Sequence, residues 1–288
     1  MDGQLLISGI IFGFSLASIY FLISIGLSLC FGLMRIISLD QLLYYSFGAY
    51  ITYTVTTLTG SFWLGVASGV VVGGLLAFLV ERIIFRKIYE RELTFSMITS
   101  FGVLLGGIGL IKFIWGVVPR PVKTPFTDQI IIFGTEVPTY RLLVILISIL
   151  VYIGIWLFLN KTIIGKAIRA GIEDMNHVEG LGINVTNLFT ITFVLAACLS
   201  ALGGALYAPL IIVDPSMGLE VLAFAFMVVI IGGLGSIKGT MVSSIIVGQV
   251  VSIGSLIYAP LAIMAPFAIM LVILLIRPTG LFGTKLSR

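Results

Sequence analysis

Nine apolar stretches run along the chain, at residues 5–34, 39–59, 62–80, 93–115, 142–159, 188–213, 219–234, 240–257 and 261–276. A hydrocarbon layer about 30 Å thick is crossed by roughly 20 helical residues. Lipid also obliges each segment to pair its own backbone polar groups, which favours helices. The pattern therefore predicts an all-α, polytopic membrane protein with about nine transmembrane helices, eight to ten being the range. Three stretches are irregular. The first is longer than one span needs, the second contains Asp40, and the seventh is short and ends in Gly232, Gly233 and Gly235. Short or glycine-broken segments are where transporters unwind helices beside their binding sites.

The longest ordered-looking polar interruption covers residues 160–187. Ile168, Ile172, Met175 and Val178 follow one another at spacings of four, three and three. On a helix they form one apolar stripe, with Arg169, Glu173, Asn176 and His177 turned away. Glycines at 180 and 182 then stop the pattern. A short amphipathic helix on the wet side of a membrane protein is a handle that a soluble partner can seat in a groove.

Composition narrows the class further. The 288 residues are 59% hydrophobic and 10% charged, where soluble domains carry about 25% charged residues. Basic residues gather in three loops: Arg82, Arg86, Lys87 and Arg91; Lys161, Lys166 and Arg169; and Arg277, Lys285 and Arg288. The positive-inside rule makes all three cytoplasmic. The proline-rich loop 116–140 then lies outside, and nine crossings put the N-terminus outside and the C-terminus inside. The start, MDGQLLISG, lacks the basic opening of a cleaved signal peptide, so the first stretch is expected to remain as a span.

The sequence has little to offer for bond chemistry. Cys30 and Cys198 lie inside apolar stretches and read as reduced packing residues, with no disulfide framework and no metal site. The only histidine, His177, stands on the polar side of the 160–187 loop, and no HExxH occurs, so an intramembrane hydrolase lacks support. No basic patch with interleaved aromatics suggests nucleic acid. Residues 232–239 lack the GK[ST] ending of a nucleotide loop, so neither ATP nor another cofactor is expected on this chain. Gly32, Leu33 and Ile36 are echoed by Gly233, Leu234 and Ile237, with Gly48 and Gly248 following at nearly equal distance. Paired broken segments of this kind would belong to an internal inverted repeat flanking a central pathway.

Three separated pieces resemble the membrane subunits of branched-chain amino acid ABC importers, a broad permease family with urea, amide and sugar relatives. The first is Gly32-Leu-Met-Arg-Ile-Ile-Ser-Leu-Asp-Gln41, followed by Phe47-Gly-Ala-Tyr50. The second, Arg169-Ala-Gly-Ile-Glu-Asp174 with Gly182-Ile-Asn184, is similar to the family's cytoplasmic coupling loop. The third is Gly232-Gly-Leu-Gly-Ser-Ile-Lys-Gly239, with Arg277-Pro-Thr-Gly-Leu-Phe-Gly283 at the end. The resemblance implies a single transmembrane permease domain over residues 1–288 in the plasma or inner membrane. It implies that the chain is not itself an enzyme and works with two cytoplasmic ATPase subunits, a second permease and an external solute-binding protein. Arg169, Ile172, Glu173, Asp174, Met175, Val178 and Gly182 would couple it to an ATPase, Val178 standing where the family commonly has alanine. Ser38, Asp40, Gln41, Tyr44, Gly232, Gly233 and Gly235 are the pathway candidates. The rival reading, an ion-coupled secondary carrier or channel, would need no coupling loop.

Relatives read Asn-Phe-Ala-His-Gly where this chain has Ser38-Leu-Asp-Gln-Leu42, so a carboxyl group replaces a small residue. An ionisable group inside a membrane costs about 2.5–3.5 kcal/mol on insertion scales and faces a partner or a watery path. Asp40 has two readings, an ion pair with Arg35 or a place on the solute route. Glu81 reads as a solvated pair with Arg82, Lys112 as a snorkelling lysine, and Asp214 and Glu220 as residues of an external turn open to a docking protein.

Overall fold

A computed structural model describes residues 3–283 apart from 90, 127 and 133. Each predicted stretch becomes one helix: α1 (Gly3–Met34), α2 (Gln41–Thr59), α3 (Phe62–Ile83), α4 (Leu93–Trp115), α5 (Thr139–Lys161), then α8 (Val185–Tyr207), α9 (Met217–Gly232), α10 (Ile237–Ile257) and α11 (Leu261–Ile276), with α6 (Ile163–Glu173) and α7 (Met175–Gly180) between α5 and α8. Six of these are long and apolar enough to cross a membrane alone. With 16 residues apiece, α9 and α11 reach about 24 Å, short of a full hydrocarbon layer.

Small residues let the central helices approach closely, as lipid-embedded packing requires. A methyl on Gly48 of α2 would lie 2.1 Å from the Ala201 carbonyl oxygen of α8, and one on Gly204 would lie 1.8 Å from that of Tyr45. In α3, Gly69 meets Gly48 and Gly73 meets Ala201, so α2, α3 and α8 interlock through their backbones. On the other flank Gly248 of α10 presses against Gly13 and Ala17 of α1. The echoed glycines 48 and 248 are thus both close-packing positions.

The two ends of the bundle differ in character. At one end β2 (Gln129–Ile132) and β3 (Thr135–Pro138) form a hairpin beside the start of α1, where the Thr135 hydroxyl donates to the Gln4 carbonyl at 3.3 Å. There β1 (Arg120–Pro121) also pairs with β4 (Ile212–Val213). At the opposite end lie the C-terminus of α1, α6 and α7, the segment after α3 and residues 277–283. Tyr89 packs edge-on against Phe189 near the start of α8, which ties the segment after α3 to that end. The three basic loops therefore share one end, as the charge pattern predicts; Lys285 and Arg288 lie outside the described residues.

The inverted relation does not hold for the echoed pair. Tyr20 stacks on Phe224 at 5.3 Å, the Ser24 hydroxyl donates to the Ala225 carbonyl at 3.1 Å, and Gly32 meets Gly235. Helices α1 and α9 therefore run in the same direction and their echoed turns meet at the same end.

Candidate functional site

The three motif pieces converge at the basic end. A methyl on Gly32 would lie 2.9 Å from the Cα of Gly235 and 3.5 Å from Cδ1 of Ile172, while one on Gly171 would meet Leu33 at 2.7 Å. The chain after α11 docks on the same knot: the Leu281 and Phe282 amides donate to the Ile231 and Gly232 carbonyls at 2.8 and 3.1 Å. The three pathway glycines are explained locally. Gly232 faces the backbone of Gly239, Gly233 has φ 98° and lies against Gly283, and Gly235 has φ 81° and lies against Gly32. Lack of room excludes a side chain at all three, and positive φ also disfavours one at Gly233 and Gly235.

The loop helix is not one helix. It breaks at Asp174, whose backbone is extended (φ −153°, ψ 113°). The apolar stripe survives the break but faces inward. Ile168 and Val178 are fully buried, and Ile172 and Met175 are half-buried against the core. A groove-seated apolar stripe is therefore corrected: the membrane body itself covers these residues, because the break lets α6 fold onto the end of α1 and α7 onto α6 and α8. What remains outward is polar. Arg169, Glu173 and His177 are exposed; His177 pairs with Asp174 at 2.8 Å, and Arg169 donates to Asn160. Asn176 has no described side chain. Gly182, also exposed, has φ 74°.

Sequence reasoning passed over two residues that set this unit. The Thr162 side chain accepts from the Gly165 amide at 3.0 Å and caps α6. Gly165 is pressed so tightly onto α5 that a methyl would lie 2.1 Å from the Phe158 carbonyl oxygen. The T-x-x-G order at 162–165 carried the cap, but not the close approach.

The other pathway candidates meet in a buried polar cluster. The Ser38 hydroxyl donates to Asp40 Oδ1 at 2.5 Å, and Gln41 Nε2 donates to Ser38 at 3.3 Å and to the Cys30 sulfur at 3.5 Å. The Ser200 hydroxyl donates to Gln41 Oε1 at 3.3 Å, which joins α1, α2 and α8. Asp40 is 0% exposed. The Tyr44 hydroxyl neighbours its carboxyl group, and that hydroxyl and Asp40 Oδ2 have no partner beyond each other. The ion pair with Arg35 is absent among the described residues: Arg35 is exposed, with φ 53°. Ser200 lies fifteen residues into α8, so the cluster sits about 22 Å along that helix.

Glu81 also departs from expectation. It is buried and accepts from the Tyr89 hydroxyl, whereas Arg82 is exposed and lies 5.9 Å from the centre of the Phe78 ring. The Ile84–Ile88 turn folds Tyr89 back over α3, so burial by a neighbour replaces solvation. Lys112 is exposed, and Asp214 accepts from the Ser216 amide at 2.8 Å in the turn before α9.

A family model described as branched-chain amino acid transport system / permease component matches residues 9–276. The chain belongs to this family. Among the permeases it resembles, LivH of Escherichia coli K12, a high-affinity branched-chain amino acid transport system permease protein, is 26% identical, over 94% of this chain and 93% of its own length. BraD of Pseudomonas aeruginosa is 24% identical over 94% of both chains, and a probable LivH of Methanocaldococcus jannaschii is 26% identical over 93% and 90%. A chain of the solved structure of PsaBC from Streptococcus pneumoniae in complex with Fab shares the fold, with a TM-score of 0.54 at 17% identity over 96% of this chain and 94% of that one. As a member of this permease family, the chain is a multi-pass protein of the cell membrane.

Proposed function

We propose that the whole chain forms one transmembrane permease domain of an ABC importer, and that it passes small aliphatic amino acids inward. The relatives' branched-chain solutes and the apolar character of the groove described below support the solute class. The basic end is cytoplasmic by the positive-inside rule. Two ATPase subunits, a second permease and an external solute-binding protein complete the assembly within membrane lipid. Asp214 and Glu220 stand in the turn that would face the binding protein. ATP is hydrolysed by the partners; this chain carries no bond chemistry.

One observation carries the coupling role. At the convergence of the three motif pieces, α6 and α7 bury Ile168 and Val178 and present Arg169, Glu173 and His177 outward. The ATPase contact is then made by this polar face and Gly182, while Ile172, Met175 and Val178 pass the displacement to α1 through Gly32 and Leu33. A packed body with two arrangements transmits such motion better than a flexible tether. Ser38, Asp40, Gln41 and Tyr44 lie on the element that α1 would move, and Gly232, Gly233 and Gly235 form its seat. The test is cysteine cross-linking: Glu173→Cys and His177→Cys are expected to cross-link to a co-expressed ATPase, and a cysteine in the hairpin, Glu136→Cys, is not. Cross-linking from Glu136→Cys alone would refute the assignment.

A further inference from the structure

Between the last turns of α1 and α9 lies a groove of about 160 Å³, walled by Leu27, Phe31 and Ile37 on one side and Phe226 and Ile230 on the other. Its one polar lining residue is Ser38. An apolar site of about 150 Å³ lined by similar side chains is large enough to hold benzene, so a branched alkyl group fits here. Ser38, at the groove's edge, is also the residue whose hydroxyl donates to Asp40.

Behind Ser38 the chemistry changes sign. Asp40 is fully buried, and its Oδ2 and the Tyr44 hydroxyl beside it have no partner beyond each other. No lysine or arginine pairs with Asp40 among the described residues. The other groups around it, Cys30, Gln41 and Ser200, are uncharged hydrogen-bonding groups. A buried carboxyl group without a cation is a demanding arrangement, and a ligand ammonium is a group that would satisfy it.

Resting on the permease reading above, we propose that the groove and the Ser38–Asp40–Tyr44 cluster together form a solute subsite within this chain. The alkyl side chain of an aliphatic amino acid occupies the groove, and its ammonium replaces the Ser38 hydroxyl on Asp40, with Tyr44 as a second oxygen partner. In the arrangement seen here Ser38 closes the cluster off from the groove. The subsite opens as the link between α1 and α2 shifts, and Arg35, a non-glycine residue at φ 53°, marks where that link bends.

The test uses the assembled importer in proteoliposomes, with leucine and alanine each saturating the binding protein. Asp40→Asn, nearly isosteric, is expected to lower uptake of both about tenfold or more, the scale of a lost charge-assisted hydrogen bond, with Asp40→Glu restoring part. Ile230→Trp fills the groove and is expected to depress leucine uptake several-fold more than alanine uptake, a shift that a merely structural role would not produce. If Asp40→Asn does not assemble, the leucine-to-alanine ratio of Ile230→Trp decides alone. An unchanged ratio in Ile230→Trp, or normal uptake in Asp40→Asn, overturns the subsite while leaving the permease reading intact. Failure of the wild-type assembly to move either amino acid with ATP present would instead overturn the permease reading.

Discussion

Gly165 is the position where the smallest perturbation meets the largest mechanical consequence. A methyl there would lie 2.1 Å from the Phe158 carbonyl oxygen and 2.5 Å from the Leu159 Cα, both backbone atoms that cannot rotate aside. Ordinary contact begins near 3.4 Å, so α6 must back away from α5 by about an ångström. Overpacking of this kind costs about 1–3 kcal/mol, against a gain of up to about 1 kcal/mol from alanine's helix propensity. With the full propensity gain, the net effect of Gly165→Ala is a destabilisation of up to about 2 kcal/mol, and, more tellingly, a displaced coupling unit. Gly180→Ala is the matched control, because a methyl there meets nothing within 4 Å. The assay is the number of ATP molecules hydrolysed per solute taken up by the reconstituted assembly, alongside thermal unfolding of the purified complex. Gly165→Ala is expected to raise that ratio and lower the melting temperature, with Gly180→Ala like wild type. Identical behaviour of the two variants would refute the claim that the α5–α6 contact positions the coupling unit.

Other substitutions probe separate links. Gly182→Ala forces a β-carbon into φ 74°, costing about 1–2 kcal/mol locally, and Gly182→Pro also deletes the 2.9 Å hydrogen bond from its amide to Glu179; both should weaken co-purification of the ATPase, the proline more. Ile172→Asp places a charge where Cδ1 now approaches Gly32, and is expected to separate ATP hydrolysis from uptake while membrane insertion, read by blotting, persists. Glu81→Leu leaves the half-buried Tyr89 hydroxyl without its acceptor and should cost about 1–3 kcal/mol in thermal unfolding, whereas Glu81→Gln, which keeps an acceptor, should cost less. Arg35→Gly is expected to be tolerated and Arg35→Val to destabilise, since a β-branched residue at φ 53° is disfavoured far more than glycine.

The helices were legible because an apolar run in lipid leaves the backbone one solution, and each of the nine became one helix, six of them long enough to span alone. Loop charge was legible for a similar reason: Arg82 to Arg91, Lys161 to Arg169 and Arg277 ended up together. Periodicity failed at Asp174. The residues 168, 172, 175 and 178 kept their shared face, but a 3.6-residue repeat cannot reveal a one-residue extended break, nor that the face would fold onto α1. Gly232, Gly233 and Gly235 stood out as pathway glycines in the sequence, yet their partners Gly239, Gly283 and Gly32 lie up to two hundred residues away. The Asp40 cluster was half visible. Ser38, Gln41 and Tyr44 are near it in sequence, whereas Ser200 reaches it only through the tertiary crossing of α2 and α8. Glu81 was misread because its neighbour in sequence is Arg82, while its neighbour in space is Tyr89.

In the proposed mechanism this chain moves a solute using force received at its basic end. The most direct test is uptake of radiolabelled leucine by proteoliposomes containing the full assembly, with ATP enclosed or omitted and with ion gradients imposed or collapsed. Accumulation is expected to require ATP on the side of α6 and α7, to survive collapse of every gradient, and to be lost in Ile172→Asp. Accumulation driven by an ion gradient without ATP, unaffected by Ile172→Asp, would contradict that mechanism.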